Sequence, residues 1–202
     1  MSERKVVLAT RNAGKIVEMR RILADAAVEV EIVGLDAFPE IDDVAETGLT
    51  FAENALLKAH AVAKESGLPA IADDSGLCVD ALNGMPGIFS ARWSGRHGDD
   101  EANLRLLLAQ VSDVPDGHRG AHFACAAVLA LPSGEERVAE GALRGVIVRA
   151  PRGTNGFGYD PIFVPEGESR TTAELSPGEK DAISHRGRAF RALAPLLPEM
   201  LG

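Results

Sequence analysis

The run Ala70-Ile71-Ala72-Asp73-Asp74-Ser75-Gly76-Leu77 constrains the fold of this chain more than any other. An apolar stretch suited to a buried strand ends in two adjacent carboxylates and a Ser-Gly turn signal. Whatever sheet the chain builds must therefore carry concentrated negative charge at its mouth. Like charges this close are costly unless a cation or a shared proton intervenes, and a Mg2+-type ion with oxygen ligands is one solution. A helix N-cap or Asx-turn at a strand exit is the other, since Asp and Ser are favoured there too.

The rest of the chain alternates strand-like and helix-like stretches. Residues 5–10 read as a strand and 15–27 as a helix with Met19, Ile22, Leu23 and Ala26 on one stripe. Val28, Val30 and Ile32 alternate with Glu29 and Glu31, the pattern of a strand with one wet face. Thr50 and Glu53 form a capping box for a helix carrying Phe51, Leu56, Ala59 and Ala63, stopped by Gly67 and Pro69. Asp73 reads as the end of one strand, 77–79 as another, and the Asp99-Asp100 pair as the start of a helix bearing Leu104, Leu107 and Leu108. Residues 121–131 and 136–143 form an antiparallel hairpin, with a further strand at 145–148. A glycine-rich loop then leads to Ser176-Pro177, an S-x-x-E helix start, and Ser184-His185-Arg186 opens or continues a last helix.

At 202 residues and 46% hydrophobic, the chain has ample material for a core. A net charge of -9 disfavours nucleic acid, because long phosphate backbones are bound through Lys and Arg, but a single nucleotide needs only a local donor cluster. Met1-Ser2-Glu3-Arg4-Lys5 runs straight into the first strand without a signal-peptide pattern, and no apolar run reaches the roughly 20 residues that span a bilayer, so a cytoplasmic protein without membrane contact is expected. Cys78 and Cys125 lie among apolar neighbours and read as reduced core thiols.

Several groups bear chemistry. Thr10-Arg11-Asn12-Ala13-Gly14-Lys15 joins the first strand to the first helix, where free N–H groups, Gly14 and the Lys15 charge suit phosphates; a plain turn with a solvated lysine is the competing reading. It is not a Walker A loop, which needs Gly at Ala9 and Ser or Thr at Ile16. Glu46 is either a third carboxylate for Mg2+ or a surface residue. Phe157 and Tyr159, two of nine aromatic residues, sit between glycines as a stacking surface for a base or as a plug over the core. Lys180, His185 and Arg186 are a donor cluster or a basic helix face.

Taken in order, Thr10 to Lys15, Glu46-Thr47-Gly48-Leu49-Thr50-Phe51, Ala72 to Leu77, Gly156-Phe157-Gly158-Tyr159-Asp160-Pro161 and Ser184-His185-Arg186-Gly187 closely resemble the inosine/xanthosine triphosphate pyrophosphatase family, the Ham1-like house-cleaning nucleotide hydrolases. The likeness runs from Val6 to about Leu193 and departs at Asn155, where glycine is usual, and at Trp93, where tyrosine is usual. It implies a single α/β domain over residues 1–202, with an elongated mixed β-sheet flanked by helices, two lobes and a central cleft, working as a homodimer with Mg2+. By the same resemblance Thr10, Arg11, Asn12, Ala13, Gly14 and Lys15 hold the triphosphate, Glu46 and Asp74 serve the metal, and Asp74 is the general base. Ser75 contacts substrate, while Phe157, Gly158, Tyr159, Asp160, Lys180, His185 and Arg186 line the nucleotide pocket.

The implied reaction splits a nucleoside triphosphate into monophosphate and pyrophosphate, with water as nucleophile and ITP, dITP and XTP as substrates. ATP has to be refused, and donors such as Arg186, His185 or backbone N–H groups suit a 6-oxo group and leave a 6-amino group mispaired. A Maf-like pyrophosphatase of other base preference and a non-catalytic nucleotide sensor are the alternatives.

Overall fold

The computed structural model of the protein describes residues 4–11 and 13–202, so Met1, Ser2, Glu3 and Asn12 lie outside the described residues. Period-two alternation begins at β1 (Lys5–Leu8), whose Val6 and Leu8 face one side of the sheet and Val7 the other. Next come α1 (Ala13–Asp25) and β2 (Glu31–Gly34), which pairs parallel with β1. Through α2 (Phe51–Ser66) the chain reaches β3 (Ala70–Val79), also parallel to β1. α3 (Asp100–Gln110) precedes the long strands β4 (Gly120–Ala130) and β5 (Glu136–Ile147), joined by a turn in which Leu131 N–H donates to the Glu135 carbonyl at 2.8 Å. β6 (Phe163–Pro165) pairs antiparallel with β5, and α4 (Pro177–Ile183), α5 (His185–Leu193) and α6 (Leu197–Leu201) follow. The product is a mixed six-stranded sheet in the order β2-β1-β3-β4-β5-β6, flanked by helices.

The chain divides into two compact units. The first holds the described residues of Met1–Asp74 with Cys125–Gly141 and Arg186–Gly202; the second holds Ser75–Ala124 and Ala142–His185. In the first unit, Val6, Leu8, Ile71, Ala127 and Leu129 pack against Met19, Ile22 and Leu23 of α1 and Phe190 and Leu193 of α5. The opposite sheet face, Val7, Ala70, Ala72, Val128 and Ala130, packs against Ala55, Ala59, Val62 and Ala63 of α2. Small alanines on both sides allow close helix-to-sheet approach: of the expected stripe Ala59 and Ala63 are fully buried, Leu56 packs partly buried against the same core, and Phe51 is half-buried. The second unit has its own core of Leu77, Val79, Phe123, Leu143, Ile147 and Phe163 with Leu104 and Leu107 of α3. Both cysteines are free and buried, and burial raises both thiol pKa values.

Both expected capping boxes are present. Thr50 Oγ1 accepts from Glu53 N–H at 3.1 Å, with Gly67 in the left-handed conformation at the other end of α2, and Ser176 caps α4. α1 starts two residues earlier than periodicity indicates, and of Val28, Val30 and Ile32 only Ile32 enters β2. The main correction is at β3, which does not break after Asp73 but runs through both carboxylates to Val79. β5 likewise continues past residue 143 to Ile147; a Cβ at Gly145 would lie 2.2 Å from the Val164 carbonyl oxygen, so glycine permits β6 to pair there. Among the described residues no helix is long and apolar enough to cross a membrane.

Candidate active site

Consecutive strand residues point to opposite faces, and this separates Asp73 from Asp74. Asp73 follows Ile71 onto the side of α1 and α5, where its carboxylate accepts from Lys15 Nζ at 3.0 and 3.1 Å and from Arg186 Nε at 3.1 Å. Burial by itself would raise the Asp73 pKa, but Lys15, Arg186 and Lys58 outweigh it and hold the carboxyl far below the usual carboxylate range. Asp73 is thus an anion near neutral pH that anchors two cations from distant parts of the chain. Asp73 and Asp74 turn to opposite faces of β3, with Lys58 acting on both, and among the described residues no group of three His, Cys, Asp or Glu side chains is arranged to hold a metal.

Asp74 follows Ala72 onto the α2 side. Asn54 Nδ2 donates to its Oδ2 at 3.1 Å, while Lys58 Nζ lies 3.7 Å from its Oδ1 and 2.9 Å from Glu46 Oε1. Burial opposes charge on Lys58, yet Asp74 and Glu46 raise its pKa. Asn54, fully buried, also accepts from Gly48 N–H at 2.8 Å through Oδ1. A Cβ at Gly48 would lie 2.6 Å from the Glu53 Cβ and 2.8 Å from Asn54 Oδ1, so the Glu46-Thr47-Gly48 turn closes this tightly only with glycine. Sequence reasoning missed Asn54 and Lys58. Their signal is a polar pair at i and i+4 on the alanine face of a helix.

Glu46 Oε1 and Asp74 Oδ1 therefore face one positive charge, supplied by the Lys58 ammonium. Two hard carboxylate oxygens around a cation are a donor set that fits Mg2+, which commonly takes one or two carboxylates and completes its shell with water and phosphate. The residues present fit the ion.

The strand-to-helix loop is more committed than the sequence indicates. Thr10 C=O accepts from Leu35 N–H at 3.2 Å, and Arg11 is exposed and bound to Asp43 Oδ1 at 2.6 Å and the Ile41 carbonyl at 2.7 Å. Arg11 thus ties down the loop that leads to Glu46. Ala13 and Gly14 start α1, and Lys15 lies in its first turn. Asn12, expected among the phosphate ligands, lies outside the described residues.

In the second unit, Ser75 is half-buried in β3. Asp160 is buried and accepts from Phe157 N–H at 2.8 Å, from Thr172 Oγ1 at 2.9 Å and from Lys180 Nζ at 2.5 Å. Lys180 also sits 4.9 Å over the Phe157 ring. A Cβ at Gly156 would lie 2.1 Å from Asp160 Oδ2, so the loop needs glycine, whose positive φ of 76° is free of strain only without a side chain. Gly158 N–H donates to Asp100 Oδ2 at 2.9 Å. The two aromatics part company: Phe157 is 62% exposed and available for stacking, whereas Tyr159 is buried, with its hydroxyl donating to the Ser90 carbonyl at 2.9 Å. Tyr159 is the core plug of the two readings; burial raises its pKa. His185 stacks on Phe123 at 4.9 Å. Of the expected donors, Lys180 thus pairs with Asp160, His185 stacks on Phe123 and Arg186 pairs with Asp73.

The profile of the Ham1 family matches residues 6–196. A dITP/XTP pyrophosphatase of Streptomyces coelicolor is 70% identical over 198 residues, covering 98% of this chain and 99% of that protein. Among solved structures, a HAM1 protein from Coxiella burnetii matches with a TM-score of 0.89 at 43% identity, covering 97% of this chain and 99% of that one. A nucleoside-triphosphatase / dITP/XTP pyrophosphatase from Mycobacterium abscessus matches with a TM-score of 0.80 at 58% identity over the same shares of the two chains.

Proposed function

The chain belongs to the Ham1 family, and from that membership we propose that it hydrolyses the non-standard purine nucleotides ITP, dITP and XTP to the nucleoside monophosphate and pyrophosphate. The observation that carries the reading is the full-length likeness to a dITP/XTP pyrophosphatase, 70% identical. The charged cluster of the first unit supports it chemically. Lys15, Arg186 and Lys58 balance Asp73, Asp74 and Glu46, so these six groups alone offer a triphosphate no net attraction. A dication held by Glu46 and Asp74 would make the cluster positive.

Bound there, Mg2+ would supply charge neutralisation on the phosphates and ease deprotonation of water. The chain's own groups do the rest. Asp74 takes the proton of the attacking water as its oxygen bonds to the α-phosphorus, and the α–β bridging P–O bond breaks with its electron pair leaving on pyrophosphate. Lys15 and Arg186, held together by Asp73, offset the charge on that leaving group without reorganising. Phe157 offers the exposed ring on which a purine stacks.

Pyrophosphate release across ITP, dITP, XTP, ATP, GTP and dTTP, with Mg2+ and with chelator, tests the reading. Mg2+-dependent release from the first three and little from the others is expected. Equal rates on ATP, or rates untouched by chelator, would overturn it.

A further inference from the structure

α2 buries alanines, a valine and one polar residue, Asn54. A fully buried amide must find partners for both ends, and Asn54 does so with two groups that the proposed chemistry uses. Its Nδ2 holds Asp74 Oδ2 at 3.1 Å, leaving Oδ1 as the oxygen turned to the cation position occupied by Lys58 Nζ. Its Oδ1 holds Gly48 N–H at 2.8 Å, two residues beyond Glu46, whose Oε1 faces the same ammonium at 2.9 Å. One rigid side chain thus fixes both the rotation of one carboxylate and the backbone turn that carries the other.

We infer that Asn54 is a positioning residue that makes Asp74 Oδ1 and Glu46 Oε1 converge on a single cation. The inference rests on the metal reading given under Proposed function. Lys58, one helical turn on, offsets one of the two negative charges of that arrangement before a metal arrives. Asn54 acts through Asp74 and through the Gly48 turn that carries Glu46, and is not itself proposed to touch substrate or metal. Partners of metal-binding carboxylates typically alter affinity by roughly 10- to 100-fold.

The test is Mn2+ binding to the nucleotide-free protein, followed by electron paramagnetic resonance, for wild type, Asn54→Ala, Asn54→Ser, Asp74→Asn and the double variant Asn54→Ala/Asp74→Asn. Thermal unfolding of each is recorded alongside, and binding is measured well below every midpoint. Expected are a weakening of roughly 10-fold or more in Asn54→Ala and Asn54→Ser, and a clearly smaller further weakening when Asn54→Ala is added to Asp74→Asn, where only the Glu46 arm is left to lose. The Mg2+ concentration for half-maximal turnover should rise by the same factor. Wild-type Mn2+ affinity in the serine variant, or a full additive loss on top of Asp74→Asn, would overturn the inference while leaving the metal reading standing. A wild-type protein that binds no Mn2+ would overturn the metal reading itself and this role with it.

Discussion

Each unit of the molecule builds its site on a buried aspartate gripped by a lysine, Asp73 with Lys15 in the first and Asp160 with Lys180 in the second, and the two differ in what surrounds the pair. Asp73 gathers a second cation, Arg186, and its neighbour Asp74 meets a third, Lys58. Asp160 gathers a backbone N–H and a hydroxyl and has one lysine. The first arrangement concentrates charge, which the proposed reaction would turn on phosphates; the second holds a glycine loop that exposes one aromatic ring. The lesson is that what surrounds an ion pair differs more than the pair itself: further cations in one unit, a backbone N–H and a hydroxyl in the other.

The largest expected effect strikes the first unit alone. Asp74→Asn is nearly isosteric but takes no proton, and turnover should fall by about 10²- to 10⁴-fold with the fold intact. Turnover near wild type in a folded variant would place the chemistry elsewhere and dissolve the contrast. The next effect separates the two lysines by stability. Lys180→Met strands Asp160 without a cation and should lose about 3 kcal/mol in urea unfolding. Lys15→Met leaves Arg186 on Asp73 and should lose clearly less, while lowering kcat/KM for all nucleoside triphosphates alike. Equal losses would mean that Arg186 does not compensate.

Smaller still is the ring. Phe157→Ala should reduce kcat/KM for ITP by about 1 to 3 kcal/mol through lost stacking, with stability almost unchanged because the side chain is largely exposed. A large stability loss instead would make Phe157 a core residue like Tyr159. Least visible near neutrality is the titration of Asp73. Its folded pKa is depressed, so the stability it confers is fully present above the unfolded value near about 4 and is lost as pH falls toward the folded value. The stability gap between wild type and Asp73→Asn should be flat from pH 6 to 8 and shrink in acid; a gap that grows in acid would contradict the ion-pair description.

What the sequence by itself determined was whatever depends on neighbours along the chain. The Thr50-Glu53 and Ser176-Glu179 boxes, the Gly67 stop and the strand-turn-helix start are interactions across three or four residues, and the ordered blocks from Thr10 to Gly187 were enough to indicate the Ham1-like family and its α/β sheet. Only the tertiary structure decided how Asp73 and Asp74 are divided. Their partners Lys15 and Arg186 lie 58 and 113 residues from Asp73 in the chain, and Asn54 lies 20 from Asp74, so no local pattern records them. Read locally, two adjacent carboxylates demand a shared cation and a broken strand. In the folded chain, alternation sends each to a different face, where Lys15 and Arg186 bond Asp73 and Asn54 bonds Asp74, and β3 runs on unbroken. The same holds for Phe157 and Tyr159: glycines on either side mark a loop, but which ring is buried depends on the second unit's core and on the Ser90 carbonyl, contacts made only when the chain is packed.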